Sequence, residues 1–215
     1  MNHPTDVWNT LVEGNQRFAT GTLTHPHQSV ARREELAAGQ HPLAAVFTCA
    51  DSRVSIETIV DAGLGDLFVV KNAGQVLDSA VIGSLEYAVS ALSVPVLLIA
   101  SHDSCGAVAS AIASHAPDAP ALPAHIRDLI APISPAVYRV AGTQPGKELD
   151  VSTVSPETVG REHLRSTVRD LLEQSEIISS AVAERRLVLV SANYELHSGR
   201  LVTDALIGFD TEPNS

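Results

Sequence analysis

Apolar residues in this chain fall into two patterns that alternate along its first half: short continuous runs, and longer stretches with helical spacing. The continuous runs are Ala44-Ala45-Val46-Phe47, Leu67-Phe68-Val69-Val70, Val94 to Ala100 and, later, Leu187 to Val190. Each is too short for a helix and is bounded by turn residues, so each predicts a buried strand. Between them, Ser55–Asp61 turns Ile56, Ile59 and Val60 inward. Ser79–Leu92 carries a helical stripe through Val81, Ile82, Leu85, Ala88 and Val89, and Gly106–Ser114 continues as a small-residue helix. Strand and helix in regular alternation predict an α/β fold, a doubly wound, mostly parallel sheet flanked by helices.

The flanks extend this picture. A first helix is expected over Asp6–Phe18, capped by Thr5 or Asp6, with Val7, Trp8, Leu11, Val12 and Phe18 on one side. That stripe needs a surface to lie on, either its own domain or a partner subunit. Gly21–Gln28 reads as a loop, and Ser29–Ala38 as a short helix stopped by Gly39. His115–Gly146 is dominated by proline and alanine and predicts an irregular excursion with a short helix around His125–Ile130. Ser155-Pro156-Glu157 then starts a long helix, whose face runs through Leu164, Val168, Leu171, Leu172, Ile178 and Val182 to Arg185. Tyr194-Glu195-Leu196, the turn His197-Ser198-Gly199 and Arg200-Leu201-Val202 predict a closing hairpin. At 215 residues, with no internal repeat, the expectation is one domain over 1–215, with 1–40 as an N-terminal helical arm.

Composition narrows the function classes. The net charge of −11, spread along the chain, argues against nucleic acid or an anionic membrane surface as the main partner. No apolar run is long enough to span a bilayer, and the first residues lack a basic start and apolar core, so the expected location is cytoplasmic. Two cysteines make no disulfide framework; in a reducing compartment they read as metal-binding, catalytic or core.

Their positions favour metal. Cys49-Ala50-Asp51-Ser52-Arg53 follows the first strand, and Ser101-His102-Asp103-Ser104-Cys105-Gly106 follows the third. If those strands are parallel neighbours, Cys49, His102 and Cys105 meet at their carboxyl ends, where open α/β sheets place ligands. Two thiolates and an imidazole form a zinc site with one position to spare, the arrangement of a catalytic metal. Asp51 can accept a hydrogen bond from metal-bound water while Arg53 holds its carboxylate, or Asp51 can itself be the fourth ligand in a closed state. His115, His125, His163 and His197 are scattered, and each is expected as a solvated side chain. Gly63-Leu64-Gly65 precedes a strand and opens no helix, which excludes a nucleotide-binding loop.

Cys49-Ala50-Asp51-Ser52-Arg53 together with His102-Asp103-Ser104-Cys105-Gly106-Ala107-Val108 resembles the β-class carbonic anhydrases. So do Glu13-Gly14-Asn15-Gln16-Arg17-Phe18, Gly65 to Val70, Ser84 to Val89 and Asn193-Tyr194. The resemblance implies a zinc enzyme, one ion per chain, interconverting carbon dioxide and bicarbonate: hydroxide on zinc attacks carbon dioxide, and an Asp51–Arg53 dyad orients the water. It implies Cys49, His102 and Cys105 as ligands, and a substrate pocket involving Gln40, Phe68, Ala73, Tyr87 and Gly106, with Gln40 supplied by the adjoining subunit. It further implies a homodimer or dimer of dimers in which the N-terminal arm packs on the partner. Ser101, Lys71 and Thr48 depart from the usual glycine, arginine and smaller residue of that family. Competing expectations are a hydrolase of carbon disulfide or a related heterocumulene, or a non-catalytic zinc-binding sensor.

Overall fold

The computed structural model describes residues 3–209. Its strands are β1 (Ala44–Cys49), β2 (Leu67–Asn72), β3 (Val96–His102), β4 (Val188–Tyr194) and β5 (Leu201–Ile207), hydrogen-bonded in the order β2-β1-β3-β4-β5. The pairs β1–β2, β1–β3 and β3–β4 are parallel, and β5 runs antiparallel to β4. Every residue of β1, β3 and β4 is buried, because helices cover both faces of the sheet. This is why those strands read as continuous apolar runs rather than alternating ones. The edge strand β2 is only half-buried.

One face, carrying Val46, Leu98 and Val190, packs under α1 (Pro4–Thr20) and α3 (Ile56–Ile59). The other, carrying Phe47, Leu97 and Leu189, packs under α4 (Ser79–Ser90), α8 (Pro156–Gln174) and α9 (Glu176–Ala183). A short α2 (Val30–Leu36) precedes β1. The stripe of α1 finds its cover within this chain: Val7, Trp8 and Leu11 are buried in the first cluster, while Val12 faces outward. Asn15 fastens the helix further, donating to the carbonyls of Ile59 (3.1 Å) and Gly199 (2.9 Å) and accepting from the Leu201 N–H (2.8 Å). Gly14 allows the close approach, since a Cβ there would lie 1.9 Å from the Val60 carbonyl oxygen.

A third cluster covers the carboxyl ends of β1 and β3. It is built from α5 (Gly106–Ala113), α6 (Ala124–Ile130), a 3₁₀ turn (Ala131–Ile133) and α7 (Ser134–Ala141). The expected irregular excursion is therefore helical over most of 124–141. Three of its prolines stand at helix starts, where the missing N–H costs nothing: Pro123 precedes α6, and Pro132 and Pro135 lie in the first turn of the 3₁₀ segment and of α7.

Other expectations need correction. The long helix does not continue to Arg185. It breaks at Ser175 (φ −117, ψ 103), whose hydroxyl caps the Ile178 N–H (3.2 Å) and donates to Glu86 (2.7 Å). The helix expected over 55–61 is one turn, because Asp61 adopts a left-handed backbone (φ +47) and turns its carboxylate inward. Strand β4 runs past Val190, since Ser191, Ala192 and Asn193 are buried between β3 and β5. The hairpin loop is correspondingly 195–200. No helix among the described residues is long and apolar enough to cross a membrane.

Asp61 generates a test. Burial pushes its carboxyl pKa up, but Arg17 Nε (2.6 Å), the Thr24 hydroxyl (2.7 Å) and the N–H groups of Thr24 and His25 hold it well below the usual carboxylate range. A depressed carboxyl stabilises the fold above its unfolded pKa, about 3.9, and that contribution is lost as pH falls through the folded value. Asp61→Asn keeps a residue that tolerates the left-handed backbone. It is expected to cost about 2–3 kcal/mol near neutral pH. The gap from wild type should narrow below about pH 4, as measured by urea denaturation across a pH series. A gap unchanged at low pH would count against the assignment.

Candidate metal centre

Parallel pairing sets Thr48 opposite Ala100, so Cys49 leaves β1 beside the end of β3, where His102 emerges. This is the sheet's switch point: β1 connects to β2 on one side and lies against β3 on the other. Cys105 is the residue before α5, after a turn through Ser104, whose φ is +51. The two sulfurs are 3.9 Å apart, far beyond a disulfide bond, and the donor atoms of Cys49, His102 and Cys105 all lie within 4.8 Å of one another. A tetrahedral zinc with Zn–S of about 2.3 Å has a sulfur–sulfur edge of about 3.8 Å, so the spacing suits that ion.

The histidine is set up as a donor. Its Nδ1 lies 2.8 Å from the Asp103 carbonyl oxygen, which can only accept, so the ring proton sits on Nδ1. Nε2 is left with a bare lone pair, and it is buried without a hydrogen-bond partner. An orphaned buried ring nitrogen facing two thiols is costly unless a cation takes the lone pair. Asp103 is itself stapled to the end of β4, its N–H donating to the Tyr194 carbonyl (3.1 Å) and its Oδ1 accepting from the Leu196 N–H (3.1 Å).

The thiols behave as a pair. Contact with the Cys105 thiol, helped by the Gly74 N–H, brings the Cys49 pKa down against burial. The Cys49 thiolate and burial push Cys105 up. One proton is thus held between two sulfurs, and a metal would displace it.

Beside them, Arg53 grips Asp51 at two points, Nε to Oδ1 at 2.9 Å and Nη2 to Oδ2 at 2.7 Å. The guanidinium keeps the Asp51 carboxyl well below the usual carboxylate range. Arg53 also donates to the Ser104 carbonyl (3.1 Å), which ties the two ligand loops together. Asp51 Oδ2 is 3.9 Å from His102 Nε2.

The three departures are each accommodated. Thr48 donates its hydroxyl to the Ala100 carbonyl (2.8 Å). Ser101 donates to Asn193 Oδ1 (2.8 Å), away from His102 by strand alternation. Lys71 donates to the Val54 carbonyl (2.5 Å) and fastens the loop that carries Arg53.

Of the remaining candidates, Phe68 and Tyr87 meet at a tilt (43°), ring centroids 6.1 Å apart, near the start of β2 and away from its Cys49 end, with Tyr87 half exposed. Gly106 opens α5, and Ala73 is exposed beside Gly74. Gln40 is exposed ahead of β1, at the end remote from Cys49. The strand between them is about 17 Å long, so Gln40 does not join its own chain's site. His125 and His197 are exposed as expected. His115 is half-buried between Ser134 (3.1 Å) and Tyr138 (3.3 Å). His163 is not solvated: it is buried, with Nε2 2.9 Å from the Gly74 carbonyl oxygen. Its buried helical neighbours Gly160 and Thr167, both small, were the available signal that this face of α8 turns inward.

An α/β sheet with a Cys-His-Cys cluster at its switch point is a frame that could hold a metal ion there. The family model for carbonic anhydrase matches residues 44–201. The chain is 44% identical to carbonic anhydrase 2 of Mycobacterium tuberculosis over 96% of this chain and 95% of that one. It is 37% identical to the carbonic anhydrase of Mycolicibacterium smegmatis over 96% of each. Among solved structures, a tetrameric β-carbonic anhydrase of Sordaria macrospora superposes with a TM-score of 0.68 at 25% identity, covering 94% of this chain and 98% of that one. The chain belongs to the carbonic anhydrase family, in its β class, and is an enzyme of that family.

Gly74 is the tightest point of the site's wall. Its φ is +81, a Cβ would lie 2.8 Å from the Ala107 Cβ, and its N–H donates to Cys49 Sγ at 3.2 Å. Gly74→Ala is expected to cost about 2 kcal/mol, from backbone strain and the clash. That is a fall in Tm of about 4–8 °C by calorimetry in a chain of this size. A wild-type Tm would contradict the packing described.

Proposed function

We propose that this chain is a zinc carbonic anhydrase that converts carbon dioxide and water to bicarbonate and a proton, and the reverse. The observation that carries the proposal is the unpartnered Nε2 of His102 facing two thiols 3.9 Å apart, with an intact Asp51–Arg53 pair alongside. Cys49, His102 and Cys105 would hold the ion, and as thiolates the cysteines balance its two positive charges. When bound, zinc supplies acidification of a water from a pKa of 15.7 towards about 7, a value known from three-histidine carbonic anhydrases rather than from this chain.

The chain's own groups do the rest. Nδ1–H of His102, held by the Asp103 carbonyl, keeps the ring in the tautomer that offers Nε2. Asp51 remains ionised because Arg53 grips both its oxygens, so it accepts a hydrogen bond from the reacting water and orients that oxygen. Engagement by Arg53 also favours Asp51 as an acceptor over a fourth ligand, which weighs against a permanently closed, sensor-like site. Ala73 and Gly106, both exposed and next in the chain to Gly74 and to Cys105, would border the site. Phe68, paired with Ala45 about 13 Å before the Cys49 end of the sheet, and Tyr87 against it would instead reach the site of an adjoining subunit. Gln40 would reach the site of an adjoining subunit, consistent with its position far from its own chain's thiols. The half-buried faces of β2 and α4 suit a homodimer, and the tetrameric Sordaria relative is in keeping with a dimer of dimers. Residues 1–215 would act as one domain in the cytoplasm.

Purified protein is expected to carry about one zinc per chain by elemental analysis, and to lose hydration activity on chelation and regain it with zinc. Full activity in metal-free protein would overturn the proposal. Substituting Cys49, His102 or Cys105 should deplete the metal. Asp51→Ala should retain it and lower kcat about 10²-fold or more in stopped-flow hydration assays. Unchanged kcat with zinc loaded would remove Asp51 from the mechanism.

A further inference from the structure

His163 has no role in the chemistry above, yet it is buried on α8 and tied to the site's wall. Its Nε2 is 2.9 Å from the Gly74 carbonyl oxygen, while its Nδ1 is buried without a partner. Burial pushes its pKa down, so the ring is neutral and carries one proton. That proton belongs on Nε2, because a carbonyl can only accept. Gly74 passes the contact on: its own N–H donates to Cys49 Sγ at 3.2 Å. The rest of the turn is closed by Asn72, whose side chain accepts from the Val76 N–H (2.9 Å) and donates to the Val76 carbonyl (2.7 Å). Those bonds brace the turn around Gly74, whose carbonyl His163 holds from α8, a helix of 19 residues packed on the sheet.

We propose that His163 is a positioning residue for the metal thiolate: by holding the Gly74 carbonyl it aims the Gly74 N–H at Cys49 Sγ and tempers the charge that sulfur gives to the metal. The inference deepens the functional proposal and rests on Cys49 being a ligand. Two thiolates donate more charge to a metal than imidazoles would, which works against acidifying water. An N–H···S bond withdraws part of that charge, as hydrogen bonds to ligand atoms do in metal centres generally.

The test uses the cobalt-substituted and zinc-loaded protein. His163→Phe fills the ring's volume without a donor, and His163→Gln returns an N–H at similar reach. His163→Phe is expected to move the thiolate-to-cobalt charge-transfer band to lower energy and to weaken zinc binding about 10-fold or more. His163→Gln is expected to bring both back towards wild type. A folded His163→Phe with the wild-type band and affinity overturns the proposal. Wild-type protein provides a second route that needs no variant. In cadmium-loaded, isotope-labelled protein, scalar coupling between the Gly74 amide proton and the metal reports the N–H···S bond, and the His163 ring nitrogens report the tautomer. An absent coupling or an Nδ1–H tautomer overturns it as well. Failure of wild-type protein to take up cobalt would defeat the functional proposal and this one with it. Cobalt uptake with an unmoved band defeats this one alone.

Discussion

The parallel pairing of β1 with β3 is the constraint on which the site depends. Cys49 and His102 are far apart in sequence and come together because Thr48 stands opposite Ala100. A slip of one residue would turn every side chain of the strand to the other face of the sheet, and would separate the thiol from the imidazole. Burial of both faces already penalises such a slip. Thr48 adds a direct lock, since its hydroxyl donates to the Ala100 carbonyl across the pair. A residue that departs from the family's usual small side chain here bonds the two ligand-bearing strands together.

Around that pairing, hydrogen bonds hold ligand loops rather than single residues. Arg53 bridges the loop after β1 to the Ser104 carbonyl after β3. Lys71 reaches from β2 to the Val54 carbonyl, and Asp103 links the end of β3 to β4 through Tyr194 and Leu196. The backbone between Cys49 and Val54 is therefore gripped from both neighbouring strands. A carboxylate that must hold a water's orientation benefits from such fixation, because reorganisation during reaction is what a preorganised dipole avoids.

Much of this was legible in the residues, and the failures have identifiable causes. Strands β1 and β3 announced themselves because parallel strands covered on both faces are continuously apolar, and the ligand motifs followed directly from their ends. Helix α6 matches the short helix expected around 125–130, but α7 was hidden because Pro132 and Pro135 read as breakers, whereas the structure places them at the starts of the 3₁₀ turn and of α7. The break at Ser175 was masked by an apolar stripe that continues on both sides of it; what ends α8 is a serine bonding to Glu86 on a different helix. Ser191 and Asn193 looked like the end of β4 because a buried polar residue is read as exposed until its partner is known. The partner of Asn193 is Ser101 on the neighbouring strand. His163 failed for the same reason, its acceptor being a backbone carbonyl of Gly74 that no side-chain pattern reveals.

The two sides of the thiol pair differ sharply, and the difference bears on where solvent can enter. On one side, Val76, Val108 and Ile133 from three separate segments are buried against the cysteines in the third core cluster. The helices α5 to α7 thus close that side with apolar side chains. On the other side stand Asp51 and Arg53, the latter half exposed. The apolar wall offers a polar group no hydrogen-bond partner, whereas Asp51 Oδ2 lies 3.9 Å from the histidine's Nε2. A polar group placed against the wall would forfeit a hydrogen bond that Asp51 can accept, a difference of about 1–3 kcal/mol. The helical excursion after α5 therefore shapes the cluster from outside it, because by sealing one side it leaves the Asp51–Arg53 side as the polar face of the thiol pair.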